Sequence, residues 1–251
     1  MSMNKTAVIT GAGTGIGKAT AFTLVRDGWN VAFLGRRKNL LEEAIAELDE
    51  YADQCMAVSC DVADMDDVDK AFDLIGQTFG RIDLLFNNAG LGLKPKTIDE
   101  YSFEDWNDLV NVNLSGSFYC ARAAFRHMRN QNPQGGRIIN NGSISAYTPR
   151  PGSAAYTTAK HGISGLTKTI ALDGRPFDIA CGQIDIGNAL TEIAMPMTQG
   201  TMQAHGKIEV EPTIAPQKVA DAILHMASLP LDANILNMTI MATKMPFVGR
   251  G

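Results

Sequence analysis

The chain has 251 residues, 45% of them hydrophobic, and a formal net charge of −5. That apolar content suffices for one substantial core. The acidic balance, without any Lys/Arg run, argues against a nucleic-acid partner, and no apolar run reaches the roughly 18 residues of a membrane span.

Met1 to Lys5 leads straight into a strand, with no charged segment followed by an apolar one, so a cytoplasmic protein is expected. The first predicted strand is Thr6–Thr10, and Ile16–Arg26 reads as a helix stopped by Asp27-Gly28. Between them lies Gly11-Ala12-Gly13-Thr14-Gly15-Ile16-Gly17. A G-x-G-x-x-G fingerprint would need glycine at Ile16; what fits is Gly11-xxx-Gly15-x-Gly17. Gly11 can make the tight turn, Gly15 admits a pyrophosphate and Gly17 lets helix and strand pack closely. The helix N-terminus then supplies donors to the phosphates.

Asn30–Leu34 reads as the second strand, ending in Leu34-Gly35-Arg36-Arg37. NAD enzymes of this architecture usually carry an acid there for the ribose hydroxyls. Two guanidiniums without a carboxylate predict NADP instead, with Arg36 on the 2′-phosphate and Arg37 assisting by stacking on adenine. The alternative is a solvated pair at a helix start. Leu40–Glu50 is an amphipathic helix, and Met56–Cys60 is the third strand. Asp61-Val62 follows: the carboxylate accepts from the adenine amino group, caps the next helix, or does both, while Val62 packs on the ring. Met65–Phe79 is that helix, with Asp64, Asp66, Asp67 and Asp69 at its start and solvated face. Ile82–Asn87 is the fourth strand, and Asn87-Asn88-Ala89-Gly90 is small enough for the backbone to approach a ribose.

One long helix is expected over Phe103–Arg129, with Trp106 at a packing position. Then come a strand at Arg137–Asn141, a helix at Ala155–Leu172, a strand at Asp178–Ile184, a helix at Pro216–Ser228 and a last strand at Leu236–Met241. The alternation predicts a parallel sheet covered on both faces, with residues 1–251 forming a single domain. Residues 187–215 resist it: Met195, Pro196, Met197, Gly200, Met202 and Gly206 show no period. They read either as a lid or as an irregular loop with core-filling methionines. Cys55, Cys60, Cys120 and Cys181 form no Cys-x-x-Cys pair and read as buried thiols, not as metal ligands.

Tyr156 and Lys160 stand four residues apart, about one helical turn, so a helix puts phenol and ammonium on one face. Ser143 lies thirteen residues upstream of the tyrosine. With the glycine turn and Asn-Asn-Ala-Gly in this order, the set predicts a nicotinamide-dependent oxidoreductase.

Thr10 to Gly17, Asn87-Asn88-Ala89-Gly90, Asn113, Ser143 and Tyr156-xxx-Lys160 together resemble the short-chain dehydrogenase/reductase family over nearly the whole chain. The resemblance implies a single α/β Rossmann domain with a doubly wound parallel sheet of about seven strands. It implies that Tyr156 is the acid/base. A free tyrosine titrates near pH 10, and Lys160 with the cationic nicotinamide would favour its phenolate. Lys160 would also hold the nicotinamide ribose, Ser143 the substrate oxygen, and Asn113 a water relaying protons to Lys160. Gly187 and Thr191 match the turn and the threonine that contact the nicotinamide, although Ile186 replaces the usual proline and Asn141-Gly142 replaces the usual small pair before the serine. The family commonly pairs the helices Phe103–Arg129 and Ala155–Leu172 between subunits, so a homotetramer or homodimer is expected.

A fainter similarity runs from Thr213 to Thr243, in Pro216-Gln217-Lys218-Val219-Ala220 and Leu229-Pro230, to the branch acting on 3-hydroxy acids and serine. Arg150 is the nearby arginine for such a carboxylate. His127, His161, His205 and His225 read as structural or surface residues, with His205 also a candidate for substrate contact. The leading expectation is an NADP-dependent carbonyl reductase or alcohol dehydrogenase acting on a small molecule. The alternatives are an NADPH-sensing regulator without turnover and an NAD-dependent 3-hydroxy acid dehydrogenase.

Overall fold

The structure, a computed structural model, describes residues 4–191, 195 and 199–248. Pro196 and Met197 of the irregular stretch lie outside the described residues. In chain order the elements are β1 Thr6–Thr10, α1 Gly15–Arg26, β2 Asn30–Gly35, α2 Lys38–Ala46, β3 Cys55–Ser59, α3 Met65–Phe79 and β4 Leu84–Asn87. They continue with α4 Phe103–Val110, α5 Gly116–Asn130, β5 Gly136–Asn141, α6 Ala154–Asp173 and β6 Ile179–Ile186. The last are β7 Thr201–Met202, β8 Ile208–Glu209, α7 Pro216–Ser228 and β9 Asn237–Ile240.

Seven strands form one parallel sheet in the order β3-β2-β1-β4-β5-β6-β9. Its strands are apolar on both faces because helices cover both. Ala7 and Ile9 of β1 face a core built with Leu24, Leu41 and Ile223 from α1, α2 and α7. Val8 between them faces the other core, with Phe72, Cys120 and Ile170 from α3, α5 and α6. This is a Rossmann fold. The chain runs outward from β1 to β3 and then returns to place β4 on β1's other side. That reversal opens a crevice at the carboxyl ends of β1 and β4, where α/β sheets bind ligands.

Two expected helices differ in detail. The stretch 103–129 is helical throughout, as expected, but a π-type turn at Asn111–Ser115 joins α4 to α5 within it. The helix expected over 40–50 ends at Ala46; Asp49 takes a φ of 44°, and a 3-10 turn over Asp49–Gln54 follows. Residues 187–215 carry order that periodicity does not show. β7 and β8 make a two-stranded hairpin, and Leu190 and Ile214 stitch the ends of the stretch together through Leu190 N to Ile214 O (2.8 Å) and Ile214 N to Asn188 O (2.8 Å). Among the described residues no helix is long and apolar enough to cross a membrane.

Candidate active site

The crevice is a cavity of about 490 Å³. Its floor is the turn between β1 and α1. Gly11 takes a φ of 66° and Gly15 one of 55°, left-handed conformations that glycine adopts without strain. A Cβ on Gly17 would stand 2.2 Å from Gly11 O, so this glycine sets the close approach of α1 to β1 and does not line the cavity itself. Thr14 and Ile16 are on the wall. Thr14 caps α1 in extended backbone, and α1 has no acidic residue in its first turn. By contrast α3 satisfies its own N-terminus: Asp64 accepts from the amides of Asp66 and Asp67. The positive end of α1 is thus left open towards the cavity, which suits an anion.

The opposite wall is Asn88, Ala89 and Gly90. The end of β4 is tied to the end of β1 by Thr10, whose hydroxyl accepts from the amides of Asn88 (2.8 Å) and Ala89 (2.9 Å). Arg36 and Arg37 stand exposed at one end of the cavity, and among the described residues neither makes an ion pair. Asp61 and Val62 line the same end. Asp61 accepts from Ala63 N (3.0 Å); the capping of α3 that it could have supplied falls to Asp64. Thr191 closes over Gly15, with its methyl 3.1 Å from where a Cβ would stand. Gly187 is not on the wall, because it packs against Met241 and Met245 behind it. The cavity therefore fits a dinucleotide: a glycine floor a Cβ would fill, an open helix terminus and an exposed cationic rim.

Tyr156 and Lys160 share one face of α6, with Lys160 Nζ 5.6 Å from the centre of the Tyr156 ring. Lys160 is buried, and its ammonium donates to Asn141 O at 2.7 Å. Among the described residues it has no carboxylate partner. A buried ammonium held by a carbonyl and a ring costs several kcal/mol of desolvation by the general estimate for buried ions, roughly offset only when paired. Such a group is kept for chemistry more readily than for stability.

Ser143 follows β5, buried, with extended backbone. Its amide donates to Asp185 Oδ1 (2.9 Å) and its hydroxyl accepts from Ser145 N (3.1 Å). Asn113 sits in the π-type turn, also buried. Its side chain is spent on one residue, accepting from Leu91 N (2.7 Å) and donating to Leu91 O (2.9 Å). Local spacing does not reveal Leu40, Cys60, Leu91 and Val112, which also line the cavity, or the carbonyl of Asn141 that seats Lys160.

Other candidates fall elsewhere. Arg150 ion-pairs with the buried Glu211 and donates to Asn188 Oδ1 (3.0 Å), so its charge is already matched. His205 is exposed in the turn of the hairpin, 3.6 Å from Glu209. His161 bonds back to Thr157 O at 2.9 Å, His127 to Asp73 at 3.1 Å, and His225 is exposed. The thiols are poor nucleophiles: burial pushes Cys60 and Cys181 up to about 12 and Cys55 to about 11. Among the described residues no group of three or more His, Cys, Asp or Glu could hold a metal ion.

The family model for short chain dehydrogenases matches residues 5–201. A 3beta-hydroxysteroid dehydrogenase of Mediterraneibacter gnavus is 31% identical over 247 residues, spanning 89% of this chain and 88% of that protein. A short chain dehydrogenase from Bacillus anthracis superposes with a TM-score of 0.81 at 32% identity over 94% of each chain. A 3-ketoacyl-(acyl-carrier-protein) reductase from Brucella melitensis, complexed with NADH, gives 0.84 at 25% identity over 97% of this chain and 99% of that one. The chain belongs to the short-chain dehydrogenase/reductase family of oxidoreductases.

Proposed function

We propose that this protein is an NADP-dependent oxidoreductase that interconverts a carbonyl and a secondary alcohol, with Tyr156 as its acid/base. The observation that carries the reading is the buried, carboxylate-free ammonium of Lys160 one helical turn from Tyr156. When bound, the nicotinamide supplies or takes the hydride at the substrate carbon. In reduction, Tyr156 donates its phenolic proton to the carbonyl oxygen, and the Lys160 ammonium stabilises the phenolate left behind. The Ser143 hydroxyl holds the same oxygen. Asn113 has its side chain committed to Leu91, so its main-chain carbonyl is the group that would hold a relay water. In oxidation the proton leaves the alcohol for Tyr156.

The exposed Arg36 and Arg37, with no carboxylate at the end of β2, support NADP over NAD. Thr14, Gly15 and the open N-terminus of α1 would hold the pyrophosphate, Asp61 and Val62 the adenine, and Asn88 to Gly90 a ribose. Gly11 and Ile16 would shape these walls, Gly17 would hold α1 close to β1 behind them, Gly187 would pack behind the wall, and Thr191 would meet the carboxamide.

An apolar substrate is favoured over a 3-hydroxy acid, because Glu211 already matches Arg150. Four residues after Ser143, the half-exposed Tyr147 ring stands edge-on to Phe247 at 6.4 Å, an apolar surface in the same turn as the serine. The steroid-named relative also points to an apolar secondary alcohol or ketone. Phe103 and Phe118 on α4 and α5, and Leu172 on α6, are exposed and support a homotetramer or homodimer; a monomer mass in light scattering counts against it.

The test is titration with NADPH and NADH by nicotinamide fluorescence, followed by a screen of apolar ketones. Tight NADPH binding and turnover abolished by Tyr156→Phe are expected. Binding of NADPH without turnover of any carbonyl would favour the sensing regulator, and preference for NADH would make the two arginines surface charges.

A further inference from the structure

Asp185, on β6, is the most deeply buried carboxylate of the site, with no exposed surface. Four groups donate to it. Ser143 N (2.9 Å) and Gln183 Nε2 (2.6 Å) reach Oδ1. Tyr147 OH and Asn237 Nδ2, both at 2.7 Å, reach Oδ2. Every contact is donated to it, the pattern of an acceptor-only carboxylate, and among the described residues no Lys or Arg pairs with it. A buried carboxylate without a cation is expensive unless its hydrogen bonds are worth keeping.

The chain makes room for it. A Cβ on Gly142 would stand 2.0 Å from Asp185 Oδ1. The glycine before the serine therefore holds open the space the carboxylate fills. Two groups in the turn after β5 depend on that carboxylate: the main chain at Ser143 and, four residues on, the phenol of the half-exposed Tyr147 ring. The Tyr147 phenol is raised above the usual range, by burial first and then by the bond to Asp185, which suits its part as a donor to that carboxylate.

We propose that Asp185 is a positioning residue that sets Ser143 through Oδ1 and the Tyr147 ring through Oδ2. The proposal rests on the reading of Ser143 as the group that holds the substrate oxygen. The first arm acts on the transition state, where the Ser143 hydroxyl must meet the oxygen that gains charge. The second acts on binding, because the half-exposed Tyr147 ring, in the same turn as Ser143, offers a substrate an apolar surface and no reacting group. The two arms separate as kcat and KM.

The experiment is steady-state reduction of an apolar ketone with NADPH or NADH, with sites counted by nicotinamide fluorescence. Asp185→Ala removes both arms; kcat per site is expected to fall about tenfold or more, with cofactor affinity unchanged. Asp185→Asn keeps an acceptor for Ser143, while Tyr147 and Asn237 can turn to accept from its amide. It should hold kcat within about threefold of wild type. Tyr147→Phe, at a half-exposed position, should fold and raise KM about threefold or more at unchanged kcat. If Asp185→Ala does not fold, Tyr147→Phe and Asp185→Asn decide: an unchanged KM in the first, or a tenfold loss of kcat in the second, overturns the proposal. Turnover that Tyr156→Phe abolishes but Asp185→Ala and Tyr147→Phe leave native overturns the role of Asp185 alone. Nicotinamide binding without any turnover, or turnover surviving in Tyr156→Phe, overturns the catalytic reading and this proposal with it.

Discussion

Replacing Arg36 with leucine should weaken NADPH selectively. Arg36 is exposed at the cavity rim and makes no ion pair among the described residues, so its removal leaves no uncompensated charge in the protein. Two unit charges about 5 Å apart attract by roughly 0.8 kcal/mol in water and roughly 3.3 kcal/mol at an effective dielectric of 20. An exposed rim lies between these limits. A guanidinium on a phosphate also gains charge-assisted hydrogen bonds, so about 1.5–2 kcal/mol is a fair figure for Arg36→Leu. That is about a 10- to 30-fold rise in Kd for NADPH. NADH has no 2′-phosphate and should change less than about twofold by the same reasoning. The assay is fluorescence titration of both cofactors at low and high salt. Salt should weaken NADPH binding to the wild type more than to Arg36→Leu, because screening acts on the pair the mutation removes. Equal changes for NADPH and NADH, or none for either, would refute the argument.

Other outcomes follow from the same geometry. Tyr156→Phe keeps the ring beside Lys160 but removes the proton; turnover should fall about 10²- to 10⁴-fold while nicotinamide affinity holds, and surviving turnover would end its assignment as acid/base. Gly17→Ala forces a Cβ to within 2.2 Å of Gly11 O, so α1 must move off β1. An overpacking cost of about 1–3 kcal/mol is expected, seen as a lower Tm together with weaker NADPH binding; an unchanged Tm would contradict the packing argument. Burial opposes the charge on Glu211, but hydrogen bonds from Gln203 and Asn188 and the charge of Arg150 together lower its pKa. Its stabilisation is then complete above pH 4.5, the ordinary glutamate value, and is lost as pH falls through the lowered folded value. Tm of the wild type against Glu211→Gln should show that gap closing at acid pH, and a constant gap would refute it.

Local spacing carried much of this in the sequence. The strand, glycine turn and helix from Thr6 to Arg26 are contiguous, so period and punctuation reveal them directly. Tyr156 and Lys160 belong to one helical turn, and the helices at Met65–Phe79 and Pro216–Ser228 have the bounds expected from their pattern. The π-type turn at Asn111–Ser115 was hidden because one extra residue in a helical turn barely disturbs the apolar period. Arg150 looked available for a substrate carboxylate because Glu211, which matches it, lies 61 residues further along the chain. Asp185 gave no signal either: three of its four donors come from the turn after β5 and from β9, far from it in sequence, and Gly142 reads as a simple small residue until the carboxylate beside it is seen.

The same long-range bonding joins two groups that the sequence could only set side by side as motifs. From Asp185 the contacts run to Gln183, which accepts from Thr167 Oγ1 (3.2 Å). Thr167 accepts from Asn140 Nδ2 (2.9 Å), and Asn140 accepts from Asn87 Nδ2 (2.9 Å). Asn87 donates to Ser117 O (3.0 Å), and the Ser117 hydroxyl donates to Asn113 O (3.2 Å). Every member is buried. Ser143 at one end and Asn113 at the other are thereby linked through β6, α6, β5, β4 and α5 by hydrogen bonds. Apolar packing tolerates small slides, whereas a buried polar chain loses a full hydrogen bond when any member moves. A network of this kind suits a site whose groups must keep their geometry when a large cofactor enters and leaves. It also explains why β4 and β5 carry asparagines in otherwise apolar strands: Asn87 and Asn140 are the links between the sheet and the helices that present Asn113, Tyr156 and Lys160.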